Sequence, residues 1–258
     1  MFSVYHIVWI LICVLVTGAG IFYCIRKDVS TGDLLTFCCR GAALSEIVKV
    51  LSVVEIVPSS DGAHFYPYLQ LQHMPFHLCS LMILVLFWAH FTHSDRLRDT
   101  LLQFAFPICI AGGGMAILIP TIFGTSITVS QAFTHPLAYQ YFLYHSMLIV
   151  FAVRIARDHE VRFSWRGYKN TIMIFSTLAL VSIYLNSLFS EPVYENGQLV
   201  SVEYGTNLMF TSHFPVGFAI TTKEQWLLYL LGLVIFVCVG VALLYIPMIR
   251  MRRKDTNA

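Results

Sequence analysis

A thiol and an imidazole are the two side chains in this sequence whose combination could make and break a covalent bond. Cys79 lies in His73-Met74-Pro75-Phe76-His77-Leu78-Cys79-Ser80, and His145 in Tyr141-Phe142-Leu143-Tyr144-His145-Ser146. Within hydrogen-bond reach they would form a nucleophile and its base, the imidazole taking the thiol proton as sulfur attacks an ester. Proline suits the first turn of a helix because the N–H it lacks would go unpaired there. The spacing therefore predicts a helix from about residue 74 with Pro75 at its first position. Cys79 then sits about 6 Å further along the axis, where the field of the helix terminus has largely faded. The plainer reading of the same residues is a hydrogen-bonded buried histidine and an inert core cysteine, since the chain has seven cysteines and ten histidines.

Other groups could assist or do something else. Glu46 and Lys49 are spaced i, i+3 in an apolar stretch that also holds Arg40 and Glu55. They can neutralise each other on one helix face, or grip a zwitterionic or anionic head group. His77, Ser80, Asn207 and the N–H groups near Pro75 are candidates to stabilise an oxyanion. His73 and His77 are four apart and could offer two imidazoles to a metal, but Pro75 lies between them. Neither an H-E-x-x-H nor a Cys-x-x-Cys pattern is present, so no metal and no other cofactor is expected; haem held by His77 or His90 with His145 is the remaining metal reading.

The elements that must position these groups are helices in lipid. Of 258 residues 57% are apolar and 12% charged, too little polar surface for a water-soluble globule of this length. Apolar runs at 2 to 25, 34 to 57, 74 to 92, 101 to 122, 137 to 156, 170 to 189 and 225 to 248 are each long enough to cross about 30 Å of hydrocarbon. The expected fold is an all-α integral membrane protein, a seven-transmembrane-helix bundle forming a single membrane domain over 1–258. Thirteen of the sixteen Lys and Arg fall at one set of helix ends, Lys223 at the other, and Arg40 and Lys49 inside the second run. The positive-inside rule then places the N-terminus outside, the C-terminus in the cytoplasm and a basic cytoplasmic tail at 249–258. With a formal charge of +2, no nucleic-acid partner is expected. The first run has no Lys or Arg before it and Arg26-Lys27 after it, so it should remain as an anchor.

Under this topology the third and fifth helices enter from the same face. Cys79 then lies roughly 8 Å deep and His145 roughly 12 Å deep, compatible with contact. The fourth run holds Pro107, Gly112-Gly113-Gly114 and Pro120, which predicts a kink and a close helix approach. The connection between the sixth and seventh helices contains Tyr194-Glu195-Asn196-Gly197-Gln198-Leu199. Asn-Gly between β-prone residues predicts a small exterior β-hairpin. The cysteines all fall in or beside apolar runs, which argues against a disulfide framework.

Pro75-Phe76-His77-Leu78-Cys79-Ser80 resembles the L-P-x-H-L-C opening of the third helix in YwaF-like integral membrane proteins, whose eukaryotic relative is transmembrane protein 164. Gly114-x-Ala116-x-x-x-Pro120, Phe142-Leu143-x-His145 and Asn207-Leu208-Met209-Phe210 follow in the same order. Where the family carries Asn-Tyr-Met, this chain has Asn207-Leu208-Met209. The resemblance spans most of residues 34 to 248. It implies seven helices, residence in a bacterial cytoplasmic membrane, and a cysteine-dependent acyltransferase that works on phospholipids or lysophospholipids. Its catalytic roles fall on Cys79 and His145. The rival expectations are a small-molecule binder or permease component, and a structural membrane subunit.

Overall fold

The computed structural model describes residues 3–204, 206–213 and 220–255. Its helices are α1 (Val4–Arg26), α2 (Thr31–Val53), α3 (Leu78–Phe91), α4 (Asp95–Pro107), α5 (Gly113–Leu118), α6 (Pro136–Arg157), α7 (Trp165–Leu188) and α8 (Lys223–Asp255). Serines open several of them. Ser3, Ser30, Ser94 and Ser164 each accept a first-turn N–H, satisfying one donor that has no partner inside its helix. Six helical stretches among the described residues are long and apolar enough to cross a bilayer: Val4–Arg26, Leu71–Phe91, Asp95–Leu118, Pro136–Arg157, Trp165–Leu188 and Lys223–Met251. On α1, α7 and α8 most apolar side chains point outward, Leu15, Leu188 and Phe236 among them. In water that surface would be costly; in lipid it is solvated. The protein is an integral, multi-pass membrane protein. Helix α2 has 23 residues, as many as α1, but Asp33, Arg40, Glu46 and Lys49 set it apart from the six.

Helix α6 runs through the middle, packed against α1, α2, α4 and α5. Glycines set three of these approaches. A Cβ on Gly41 of α2 would stand 2.6 Å from Met147 Sδ, one on Gly20 of α1 2.9 Å from Val150 Cγ2, and one on Gly113 of α5 3.2 Å from the His145 carbonyl oxygen. The predicted close approach in the Gly112-Gly113-Gly114 run thus belongs to Gly113.

Between α4 and α5 the chain makes one π turn, Ile108–Gly112, directly after Pro107. This is a break in the α-helical hydrogen bonding at the prolines and glycines singled out in the sequence. Pro107 has no N–H to give the carbonyl of Gln103, four residues earlier; the Tyr245 hydroxyl of α8 donates to that oxygen instead, at 2.7 Å. The same substitution recurs at the end of α5. Pro120 cannot serve the Ala116 carbonyl, and the Tyr141 hydroxyl of α6 donates to it at 3.1 Å. The next carbonyl, Ile117, accepts from His6 Nε2 of α1 at 2.9 Å.

Several predicted boundaries move. The second helix does not reach residue 57: it stops at Val53, and Glu55–Pro58 forms strand β1, antiparallel to β2 (Phe65–Tyr68). The β-branched run Val53-Val54-x-Ile56-Val57 and the aromatic Phe65-Tyr66-x-Tyr68 favour that pairing over a helix end. The third helix does not begin at 74. A 3-10 turn, Leu71–His73, leads to an extended Met74, as expected of a residue before proline, and α3 starts at Leu78 with His77 as its N-cap. The fourth starts earlier than predicted, at Asp95, and the last runs on to Asp255 instead of ending at 248. The basic tail thus continues that helix, with 256–258 outside the described residues. The hairpin at Asn196-Gly197 forms as predicted, β3 (Ser190–Glu195) pairing with β4 (Gln198–Tyr204). Its turn residues have φ of 51° and 77°, the left-handed region that Asn and Gly tolerate.

Candidate functional site

Cys79 is the second residue of α3, not four residues past an N1 proline. The first N–H of this helix to find a helical acceptor is that of Leu81, on the His77 carbonyl at 2.9 Å. The N–H groups of Leu78, Cys79 and Ser80 come before it and have no helical carbonyl to bind. A thiol expected deep in a helix therefore stands at a helix end, among backbone donors of the kind that bind developing negative charge.

His145 is 4% exposed and sits in the middle of α6. Its Nδ1 lies 2.6 Å from the Tyr141 carbonyl oxygen. A carbonyl can only accept, so Nδ1 carries the proton and, in the neutral ring, the lone pair is on Nε2. Among the described residues Nε2 makes no hydrogen bond. The Tyr141 ring packs on the imidazole with centroids 4.5 Å apart, while its hydroxyl is held by the Ala116 carbonyl that Pro120 leaves free. The end of α5 thereby positions Tyr141, and Tyr141 orients His145.

The link from α6 to Cys79 is made by the neighbour of the histidine. The Tyr144 hydroxyl donates to the Cys79 carbonyl oxygen at 2.8 Å, so the first turn of α3 and the His145 segment of α6 meet. No hydrogen bond joins the Cys79 thiol to the His145 imidazole among the described residues. The seven cysteines are free thiols.

The remaining predicted residues are placed as follows. Glu46 and Lys49 form an ion pair of 2.7 Å on α2, and Ser80 follows Cys79 in the first turn of α3. His77 caps α3 through its backbone, while His73 lies in the separate 3-10 turn. The two histidines therefore do not share a helix face, and the i, i+4 arrangement considered for a metal does not occur. Asn207 is occupied with its own loop: its Oδ1 accepts from the N–H groups of Ser212 and His213, and its Nδ2 donates to the His213 carbonyl.

Sequence reasoning passed over Asn186. Buried on α7 at 3% exposure, it accepts from Thr206 Oγ1 at 3.0 Å and from the Leu208 N–H at 2.8 Å, and donates to the Leu208 carbonyl at 3.2 Å and to Thr211 Oγ1 at 2.9 Å. These bonds seat the Asn207-Leu208-Met209-Phe210 segment on the bundle. Met209 and Phe210 are held there at φ of 53° and 57°, a backbone strain that only such over-determined anchoring sustains. An asparagine well inside an apolar run was the available signal. Tyr141 and Tyr144, four and one residues before His145, were quoted in the sequence motif without being given a role.

No curated protein and no solved structure matches the chain. The family model for the TMEM164 family does match, over residues 1–245. That span takes in Cys79, Tyr144, His145 and Asn186 alike, and the chain belongs to the TMEM164 family.

Proposed function

We propose that this protein is a seven-span membrane enzyme that moves or hydrolyses lipid acyl chains through Cys79 and His145. The seventh span is α2, whose Glu46–Lys49 pair removes two of its charges from lipid by mutual neutralisation. The distribution of Lys and Arg supports an N-terminus outside and a C-terminus inside, and the proposed host is a bacterial cytoplasmic membrane. Its partners are phospholipids and lysophospholipids, and no metal or organic cofactor takes part.

One observation carries the reading: the hydrogen bond from His145 Nδ1 to the Tyr141 carbonyl puts the basic lone pair on Nε2, ready to accept a thiol proton. In the first half-reaction the S–H proton moves to Nε2, sulfur bonds to the ester carbonyl carbon, and the C–O bond breaks. The departing lipid alkoxide takes the proton from imidazolium. In the second, a lysolipid hydroxyl or water gives its proton to Nε2 and attacks the thioester, releasing the thiol. The N–H groups at the start of α3, which have no helical carbonyl to bind, stabilise the oxyanion in both, with Ser80, His77 and the Glu46–Lys49 pair available to substrate. Support comes from family membership, from Cys79 at a helix N-terminus and from the Tyr144 bridge between the two segments.

The test uses purified protein and an alkyne-tagged acyl phospholipid. Hydroxylamine-sensitive labelling of the wild type is expected, with loss in Cys79→Ser and in His145→Ala. Labelling that persists in either correctly folded variant overturns the assignment.

A further inference from the structure

Helices α1 and α6 line two neighbouring cavities, the larger of them together with α2. The larger, about 940 Å³, is an apolar groove walled by Val16, Phe37, Leu44, Leu143 and Met147. The smaller, about 380 Å³, is polar and holds Arg154 and Arg157 with Asp28, Asp158, Glu160 and His159. Cys24 and Val150 line both, so the apolar groove ends beside the charged cavity. Along α6 the groove runs from Val150 to Pro136, about 21 Å at 1.5 Å per residue. One lipid chain covers roughly half of a ~30 Å hydrocarbon core, so an extended chain fits within that length.

From this adjacency we propose that a zwitterionic phospholipid binds along α1, α2 and α6, with one acyl chain in the groove and its head group between Arg154, Arg157 and the surrounding carboxylates. The charges select the head group. Two guanidinium groups suit a phosphate, and one donor of Arg154, its Nε, is already fixed by the Val29 carbonyl at 2.6 Å, which aims the rest of the fork. Asp28, Asp158 and Glu160 would repel a purely anionic head but suit an ammonium group. A head group carrying both charges satisfies both sets.

This site is separate from the proposed acyl transfer. Arg154 lies ten residues along α6 from Tyr144, about 15 Å, so the ester bonds of a lipid held here are remote from Cys79. Only the chain reaches the neighbourhood of Tyr144, which lines the groove. The lipid is a bound component of the bundle, filling the groove between α1, α2 and α6.

Native mass spectrometry of the delipidated full chain, titrated in parallel with phosphatidylethanolamine, phosphatidylglycerol and diacylglycerol, tests the site. The expected result is one retained phosphatidylethanolamine, favoured about tenfold over the other two. Arg157→Glu, at an exposed position, and Leu44→Trp, which fills the groove from its lipid-facing rim, should each lower that occupancy about tenfold. Circular dichroism and acyl-probe labelling should not change. Equal retention of the three lipids, preference for phosphatidylglycerol, or occupancy unaffected by both variants overturns the proposal.

Discussion

Tyr144 and Cys79, 65 residues apart in the chain, are joined by a hydrogen bond from the tyrosine hydroxyl to the cysteine carbonyl at 2.8 Å. The bond acts on the backbone that carries the thiol and leaves the sulfur free. It also fixes the start of α3 against a residue adjacent to His145.

Tyr144→Phe removes this tie and nothing else from the site. The stability loss should be about 1 kcal/mol, visible as a small drop in melting temperature. Acyl labelling should fall by about tenfold without vanishing, since a loosened first turn misplaces nucleophile and oxyanion donors together. Labelling equal to wild type would show that Tyr144 has no positioning role.

Tyr245 stands in for the N–H that Pro107 lacks, and it also pairs with Thr171 Oγ1 at 2.7 Å. Tyr245→Phe leaves the Gln103 carbonyl buried without a donor, at a cost of roughly 1–3 kcal/mol. Pro107→Ala restores an N–H four residues from that carbonyl. Thermal unfolding of the double variant should therefore show a loss smaller than the sum of the two single losses. Strict additivity would refute the substitution of one donor for the other.

Gly167 lets α7 approach α4. A Cβ there would collide with Gln103 Oε1, and the Gln103 amide is anchored by its Nε2 on Asp99 Oδ2 at 2.6 Å. Gly167→Ala should destabilise by about 1–3 kcal/mol through overpacking, and adding Gln103→Ser should recover part of it. Circular dichroism melts of the single and double variants decide the matter; no recovery would place the strain elsewhere.

Asn186 serves Thr206, Leu208 and Thr211 at once. Asn186→Asp keeps the accepting oxygen and loses both donors, while Asn186→Ala loses everything. Limited proteolysis around 206–213 should accelerate in the order wild type, Asp, Ala. Equal cleavage rates in all three would mean that the loop is seated by other contacts.

What the sequence makes legible follows the strength of each local signal. The long apolar runs mark their helices because only a helix lets a single segment satisfy its own backbone groups in lipid, and Asn196-Gly197 marks its hairpin because few residue pairs accept two positive φ angles. The start of α3 is misread because Pro75 is compatible both with a first helical turn and with the extended chain before one. The structure takes the second, and the distance of Cys79 from the helix end changes accordingly. The end of α2 is misread because Val53, Val54, Ile56 and Val57 are apolar enough to extend a span yet also prefer a strand. Residues joined across the bundle, such as Tyr141 to Ala116 and Asn186 to Leu208, leave no periodic trace, since their partners are set by packing and not by spacing.

The π turn after Pro107 inserts one residue into an otherwise continuous rod, and each residue of an α-helix advances the azimuth by about 100°. Before the turn the rod faces α7 and α8 with Gln103; after it the rod faces α6 with Gly113. Residue count in 108–112 is thus a phase setting that one neighbour reads before the turn and another after it. Deleting a single residue there would change no side chain elsewhere, yet it would rotate Gly113 and Ala116 away from the tyrosine and histidine they serve.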